Sequence, residues 1–522
     1  MVRLRTVAVL LLLTAVAIAI QGYHPGLEDD AYYLAAIKRN LNPALFPHDA
    51  DFFRLQFQAT IFDKLIAESI RLTHLPIDLT IFLWQFATTF LILAACRQIA
   101  RRCFASVEAQ WAAVLTVAVL LTIPISGTGI SLTDQYLHPR ALATAAILAA
   151  IVAILDHHRL RAAIFLFAAA TVHIIMAAFG MSLCMFLAWR WSASNEENRN
   201  GEKRNNEKRK GQKRNDQAIP STLMALAALP LPWLFEPASE AWRQAAATRH
   251  FNQLSQWAWY EWLGVIAPLF LLYIFARIAR RYESSTLDRL STSLLYYAIF
   301  QLAIALLIML PPQLERLRPF EPMRFLHLVY LLMFLIAGGL LGQLVLGKHV
   351  YRWLLLFIPL SAGMFYAQRQ MYPSTAHLEL PGRAPSNDWL RAFAWIRQNT
   401  PRQNMPSQNT PTDALFALDP YYMQQPGEDF HGFRALAERS ALADMVKDPG
   451  MVARIPSLAP RWQRETNATG NWQNFQPSDF QSLKNTFGVN WVVLSKSDAQ
   501  TQLTTGMICP YENDSVKVCR IE

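Results

Sequence analysis

Residues 6–21, TVAVLLLLTAVAIAIQ, form an uninterrupted apolar run that leads directly into GYHPGLEDDAYYLAAIKRNLNPALFPHDADFF at residues 22–53. The run is close to the length that crosses the hydrocarbon core of a bilayer. It lacks a clear small-x-small cleavage site before Gly22, so we interpret it as a retained first span. Glu28, Asp29 and Asp30 follow within a few residues of the membrane boundary, where a carboxylate is costly unless it has a partner or a task.

The rest of the chain repeats this apolar pattern. The protein has 522 residues, 53% of them hydrophobic, and a mean hydropathy of +0.16 that is too high for an ordinary soluble protein. Runs of span length predict a polytopic α-helical membrane protein with about 11 spans. After the first, the predicted spans cover residues 79–96, 111–127, 139–155, 162–174, 176–190, 219–235, 259–276, 291–310, 325–346 and 351–368.

Basic residues between the spans predict their orientation. Arg97, Arg101 and Arg102 follow the second span, and similar clusters follow the fourth, eighth and tenth. Because basic loops stay in the cytoplasm, both the N-terminus and these clusters are predicted to be inside and the C-terminus outside. The net charge of +10 is then topological, and we expect no nucleic-acid partner.

One charged tract decides how residues 162–191 are interpreted. SASNEENRNGEKRNNEKRKGQKRNDQ has no apolar content that could fold, so residues 192–218 are predicted to be a disordered cytoplasmic linker. A single long helix over residues 162–191 would place this tract outside. We therefore predict two short helices that turn near His173.

The sequence changes character at Met371, and residues 371–522 are predicted to form a small α/β domain outside the membrane. SNDWLRAFAWIRQNTP and PSDFQSLKNTFG have the pattern of capped helices, closed by Pro401 and Gly488, and DALFALDP and VNWVVLS that of short buried strands. Cys509 and Cys519 flank PYENDSVKV, and the sequence leaves open whether they pair or remain free thiols.

Polar residues concentrate in the predicted outer loops. These loops are residues 22–78, 128–138, 236–258 and 311–324. The first one includes FFRLQFQATIFDKLIAESIRL, whose apolar residues recur at helical spacing, and we expect this stretch to lie along the membrane surface.

Acids and bases are predicted to face each other among these loops. Arginine is the usual bidentate partner of phosphate, and a carboxylate placed opposite can take the proton of an attacking hydroxyl. A cavity of this kind suits an anionic, lipid-linked substrate. The candidate binding residues, beside the acids at 28–30, are His48, Asp49 and Asp51 of PHDADFF, His138 and Arg140 of TDQYLHPR, and Arg324 of ERLRPFEPMR.

Simpler roles exist for each of these residues. Asp49 and Asp51 have the position of caps for the helix that follows. Arg140 and Arg324 have the position of helix-end anchors that snorkel to the interface. The acid triplet itself could be a loop feature without chemistry.

The first span, the EDDAYYLAAI…NPALFPHDADFF loop, the many-helix body, HPR, PMR and the C-terminal outer domain together resemble the GT-C superfamily. These multi-span glycosyltransferases use polyprenyl-phosphate-linked sugars. The resemblance covers the whole chain in architecture, with domains at 1–370 and 371–522. It implies a bacterial inner-membrane enzyme with a periplasmic C-terminal domain, which catalyses hexosyl or pentosyl transfer to an envelope glycan, lipid or protein.

The resemblance also implies roles for residues. In that superfamily a first-loop aspartate acts as the catalytic base or, in some branches, helps to hold a divalent metal such as Mg²⁺ or Mn²⁺. By position, Asp29 or Asp30 takes this role, and the sequence does not choose between them. Binding of substrate would fall to Glu28, His48, Asp49, Asp51, His138, Arg140 and Arg324.

Two other classes of function stay open. One is a non-catalytic relative that binds or assembles envelope glycans, and the other is a transporter or flippase of a lipid-linked glycan. The sequence has no P-loop, which leaves an ATP-driven pump without support. It shows no repeat of its halves, which weakens a secondary transporter.

Overall fold

The computed structural model describes residues 2–53, 60–189, 238–400, 414–497 and 506–522. The chain is mainly helical up to residue 371, and a β-sheet follows near the C-terminus. Because several of its helices have the length and composition of membrane spans, the protein is a polytopic membrane protein. Six described helices qualify: Leu4–Gln21, Ile77–Cys103, Trp259–Arg281, Ser285–Met309, Pro322–Leu346 and Val350–Met371.

Shorter apolar helices lie between the long ones, at Val107–Val119, Pro139–Leu155 and Ile174–Trp189. The helix Arg159–Val172 packs along Pro139–Leu155. The predicted span at 219–235 and the predicted linker at 192–218 lie outside the described residues. The total number of spans therefore stays a prediction.

The predicted span at 111–127 is wrong at its end. Its helix stops at Val119, and strands β1 (Pro124–Ile125) and β2 (Ile130–Ser131) form a small hairpin instead. Gly127 and Gly129 in this turn have φ of +65° and +66°, a region that glycine adopts without steric cost. The hairpin carries the chain to the loop that contains His138.

The predicted turn near His173 is confirmed as a break between two helices. His173 has extended φ and ψ of −153° and 98°, and its backbone N–H still bonds the carbonyl of Ala169 at 2.8 Å. Its Nδ1 accepts the N–H of Met176 at 3.3 Å, so the same side chain caps the next helix. The ring of His173 stacks at 6.4 Å on that of His138.

The loops at one end of the helix bundle are those predicted to be basic and cytoplasmic. Arg102 pairs with Asp156, and the hydroxyl of Ser284 donates to the carbonyl of Cys103 at 3.1 Å. These contacts join the loops that follow three different helices. The acid-bearing loops meet at the opposite end of the bundle.

The first of those loops is folded. It contains the helix Asp30–Leu41, a 3₁₀ turn at Ala50–Phe53 and the helix Phe62–Thr73. The last of these covers the second half of the predicted amphipathic stretch and is amphipathic, since Phe62, Ile66 and Ile70 are buried while Lys64 and Glu68 are exposed. Residues 54–59 of that stretch lie outside the described residues. Its placement on the membrane surface stays a prediction.

The C-terminal part is built on a five-stranded sheet. Its strands are β3 (Leu415–Leu418), β4 (Ser440–Ala441), β5 (Trp491–Ser495), β6 (Met507–Glu512) and β7 (Val516–Ile521). Their order across the sheet is β4-β3-β5-β7-β6. Both predicted strands are confirmed, as β3 and β5, which pair in parallel.

Both predicted helices of this part are confirmed, and they cover opposite faces of the sheet. Asp388–Asn399 begins at Asn387, whose side chain accepts the N–H of Leu390 at 2.8 Å, and packs on Phe416. Pro477–Phe487 ends at Gly488 and packs on the other face. Alternate strand residues thus enter two separate cores.

Short helices at Phe433–Ala437, Asp448–Arg454 and Ala459–Thr469 complete this part of the chain. Cys509 and Cys519 form a disulfide between β6 and β7, so of the two states left open by the sequence the structure has the paired one.

Candidate functional site

A cavity of about 330 Å³ lies where the acid-bearing loops meet. Each of the four predicted outer loops contributes to its wall, and the C-terminal part of the chain closes it. The charged lining residues are Glu28, Asp29, Asp134, Arg140, Arg249, Glu321, Arg324, Lys447 and Arg454. The cavity therefore holds both signs of charge at the end of an apolar helix bundle.

The backbone separates the three consecutive acids. Glu28 has a φ of +53°, an uncommon left-handed conformation for a residue other than glycine. Glu28 and Asp29 line the cavity, whereas Asp30 does not. Asp30 is 2% exposed, and its carboxylate accepts the N–H of Gly26 at 2.6 Å. This hydrogen bond stabilises the turn between Gly26 and Asp30 on its buried side.

Asp29 is held from two sides. Its Oδ1 lies 3.3 Å from Nζ of Lys447, and its Oδ2 lies 3.9 Å from Nε2 of His138. Its backbone N–H bonds the hydroxyl of Tyr136 at 3.3 Å. Burial alone would raise the pKa of Asp29, but Lys447 and His138 outweigh it and hold that pKa well below its usual value.

Asp30 has the opposite electrostatic character. Burial raises the pKa of Asp30 to about 7, although the hydrogen bond from Gly26 and the charge of Lys38 oppose the shift. Near neutral pH the two neighbouring carboxyls thus differ, since Asp29 is ionised and Asp30 is partly protonated.

Arg140 is the most deeply buried cation of the cavity, at 1% exposure. It lies in the first turn of Pro139–Leu155, and its Nη2 bonds both carboxylate oxygens of Asp134 at 2.6 and 2.7 Å. Its Nε and Nη1 have no hydrogen-bond partner. Because buried N–H groups are nearly always satisfied, these two unpaired donors suit an anionic ligand.

Glu321 joins two further arginines. It forms ion pairs with Arg324 and, at 2.7 Å, with Arg454. Its left-handed φ of +54° places it at the junction of two 3₁₀ turns, Pro312–Phe320 and Pro322–Phe325. The predicted residue Arg324 is therefore in the cavity, together with an arginine from the C-terminal part.

Three cations of this cavity were not predicted from the sequence: Arg249, Lys447 and Arg454. Lys447 pairs with both Glu28 and Asp29. Nη2 of Arg249 donates to the carbonyl of Lys447 at 2.8 Å, and its Nε has no hydrogen-bond partner. No local motif marks these residues, and only folding brings them to the first loop.

Four predicted binding residues do not line the cavity: His48, Asp49, Asp51 and His138. His48 and Asp51 are exposed in the middle of the first loop. His138 is buried behind Asp29. Asp49 is fully buried, pairs with Arg434, and accepts the hydroxyl of Ser440 at 2.9 Å. The structure thus uses Asp49 as an anchor for the C-terminal part, and not as a cavity residue.

Arg434 makes that anchor a cluster. Besides Asp49 it binds Asp448 through two hydrogen bonds of 2.9 and 3.0 Å, and Asp448 also accepts the hydroxyl of Tyr32 at 2.9 Å. Since Asp448 directly follows Lys447, the cluster fixes the backbone that presents Lys447 to Asp29.

Close backbone packing reinforces the same contact. The N–H of Gly432 bonds the carbonyl of Gly26 at 2.8 Å, and a Cβ on Gly432 would overlap Ala31. His24 pairs with Glu379 at 2.8 Å and Lys38 with Glu438 at 3.0 Å. The C-terminal part is therefore a fixed wall of the cavity.

The donor set does not fit a divalent metal. Among the described residues there is no group of three or more His, Cys, Asp or Glu side chains that could hold a metal ion. The carboxylates of Asp29, Asp134 and Glu321 each face a cationic partner in the wall. The reaction that we propose therefore uses side chains alone.

Comparisons with known proteins give little further help. No family model matches the chain, and no curated protein matches it. Among solved structures it is similar to the oligosaccharyltransferase of Archaeoglobus fulgidus in its apo form, at 12% identity and a TM-score of 0.37. The match covers 94% of this chain and 69% of that one, and a likeness this weak carries no argument about fold or function.

Proposed function

We propose that the protein is a membrane glycosyltransferase that moves a sugar from a polyprenyl-phosphate carrier to an envelope glycan, lipid or protein on the outer face of the membrane. One observation carries the proposal. An ionised carboxylate, Asp29, and a buried guanidinium with unsatisfied N–H groups, Arg140, line the same cavity at the end of an apolar helix bundle. Asp29 has the charge and position of a general base, and Arg140 those of a phosphate-binding residue.

The phosphate of the carrier is assigned to the cationic side of the cavity. The two unpaired N–H donors of Arg140 are assigned to it, and Arg324, Arg249 and Arg454 add positive charge from three other segments. The carrier chain lies in the bilayer beside Val350–Met371, an apolar helix of which only 6% of the span window is buried and whose last residue lines the cavity.

Asp29 is assigned as the general base, and Asp30 as a structural residue. Asp29 faces the cavity and is ionised, whereas Asp30 is buried on its turn. In the reaction the acceptor oxygen bonds the anomeric carbon, and the bond from that carbon to the phosphate oxygen breaks. The acceptor proton passes to Asp29, and the electron pair leaves with the carrier phosphate.

The test is transfer of radiolabelled sugar from polyprenyl-phosphate donors by the purified protein in liposomes. Asp29→Asn should lower the rate by ~100-fold to ~10,000-fold, because it removes the proton acceptor and keeps the shape. Asp30→Asn should stay near the parent, since an amide oxygen still accepts the N–H of Gly26. Asp51→Asn, outside the cavity, is the matched control.

Three results would contradict the proposal. Equal rates for the parent and Asp29→Asn would make the acid triplet structural. A parent that binds donors without any transfer would favour the non-catalytic relative. Movement of labelled lipid across the vesicle membrane without product would favour the transporter.

A further inference from the structure

We propose that His138 is a positioning residue, which orients Asp29 through its Nε2–H and never accepts the proton of the reaction. The inference rests on the proposed function, because it assigns Asp29 as the base. It replaces the predicted role of His138 as a substrate ligand. Three observations carry it: the hydrogen bond at Nδ1, the direction of Nε2, and the packing of the ring.

The helix that follows fixes the tautomer of His138. Its side chain is the N-cap of Pro139–Leu155, and Nδ1 accepts the backbone N–H of Arg140 at 2.9 Å. A nitrogen that accepts this bond carries no proton, so the proton of the neutral ring is on Nε2. Burial and the nearby charge of Arg140 lower the pKa of His138, so the ring is neutral near pH 7.

The protonated nitrogen faces the base. Nε2 lies 3.9 Å from Oδ2 of Asp29, while Lys447 lies 3.3 Å from Oδ1. The carboxylate is thus flanked by one donor on each oxygen, one from the helix body and one from the C-terminal part. The proposal requires Nε2 to come within about 3 Å of Oδ2 when the acceptor binds, since 3.9 Å is longer than a hydrogen bond.

The ring has little freedom to do anything else. It is 1% exposed, Tyr33 contacts it edge-on at 4.8 Å, and His173 stacks on it at 6.4 Å. Nδ1 is occupied as the acceptor of the helix cap, and Nε2 carries the proton that faces Asp29. His138 therefore cannot take a proton from Asp29, which must release it to the departing product or to solvent.

Two amide variants of His138 distinguish the role of Nδ1 from that of Nε2. In His138→Asn the side-chain oxygen takes the place of Nδ1 and keeps the helix cap, but nothing reaches Asp29. In His138→Gln the amide nitrogen takes the place of Nε2 and keeps the donor, but the cap is lost. A cap alone would predict that Asn is the better substitute, and positioning predicts that Gln is.

The first measurement is transfer kinetics with a polyprenyl-phosphate sugar, together with the melting temperature. We expect His138→Asn to melt near the parent and to lose ~10-fold to ~100-fold in kcat with little change in KM. We expect His138→Gln to melt lower and to stay within a few-fold of the parent kcat. The proposal is overturned if His138→Asn has the kcat of the parent. It is also overturned if the kcat of His138→Gln is lower than that of His138→Asn.

The second measurement needs no substrate. The infrared carboxyl band of Asp29, identified by its loss in Asp29→Asn, is titrated in the parent and in both variants. Besides His138, the titratable and charged groups that act on Asp29 are Lys447, Glu28, Arg140, Arg324, Tyr33 and Tyr136. All of these remain, so a changed midpoint reports on His138.

We expect the midpoint of Asp29 to rise by about one pH unit in His138→Asn and to stay near the parent in His138→Gln. If the titration midpoint of Asp29 is unchanged in His138→Asn, His138 does not act on Asp29 and the proposal is wrong. If the parent transfers no sugar while the midpoint shifts as expected, the proposed function fails and the contact between His138 and Asp29 stands.

Discussion

Replacing Lys447 with Met should shift the acid limb of the transfer reaction to higher pH. Lys447 comes from the C-terminal part, and it is the cation nearest to Asp29. Met keeps the length and the apolar stem of the side chain and removes its charge. The substitution therefore isolates the electrostatic effect of Lys447 on the proposed base.

The contact sets the size of the effect. Unit charges 3.3 Å apart attract by about 5 kcal/mol at an effective dielectric constant of about 20. The Asp29 side chain is 41% exposed, so solvent screens much of this attraction. An opposite charge at short range lowers a carboxyl pKa by ~1–3 pH units, and because solvent screens this pair we expect the effect of removing Lys447 to lie at the low end of that range.

The assay is the pH dependence of kcat for sugar transfer. Asp29 works only when ionised, so the rate falls as the pH drops through its pKa. Lys447 lowers that pKa, hence its removal raises the pKa and moves the acid limb up by about one pH unit. Lys447→Arg should restore the parent profile, because the charge returns.

A control variant must show that the shift of the acid limb comes from the loss of Lys447 and not from the loss of any lysine. Lys64→Met makes the same chemical change at an exposed position outside the cavity and should leave the profile unchanged. A Lys447→Met protein with the parent acid limb would refute the argument, even if its rate fell. Lys447 would then act on the donor phosphate alone.

Further predictions concern the donor, the anchor and the topology. Arg324→Ala should weaken donor binding before it slows transfer, which donor titration at equilibrium would show, and an unchanged donor affinity would contradict it. Arg434→Met should destabilise the fold by ~3–5 kcal/mol, because it leaves Asp49 and Asp448 buried without their cation, and a parent-like chemical melt would contradict it. Single cysteines engineered within residues 371–522 should react with a membrane-impermeant reagent added to intact cells, and cysteines within residues 192–218 should not. The opposite result would invert the proposed orientation.

Local patterns of the sequence predicted much of the architecture. Apolar runs predicted the long helices, because hydropathy over about 20 residues is enough to define a span. The break at His173 followed from the charge of a neighbouring tract, and the strands at Leu415–Leu418 and Trp491–Ser495 from short buried runs. Each of these is decided by residues close together in the chain.

The end of the third predicted span, at residues 111–127, shows where a prediction from hydropathy alone fails. Hydropathy alone extends a span to residue 127, but the backbone turns at Pro124 and the glycines around it. A proline without an N–H and glycines with positive φ outweigh the apolar side chains there.

Only the tertiary structure decided the composition of the cavity. The sequence pointed to Asp29, Asp30, Arg140 and Arg324, but it left the two aspartates equivalent. A left-handed Glu28 turns one toward the cavity and the other into the protein. That conformation depends on contacts with the C-terminal part, which no local pattern contains.

The same holds for Lys447, which lies 418 positions from Asp29 along the chain, and for Arg434, which lies 385 positions from Asp49. The local sequence around a charged residue near a membrane is the same whether that residue anchors a domain or faces a ligand. Whether a carboxylate is an anchor or a candidate base is decided by which distant cation folding places beside it, and by how much water remains there.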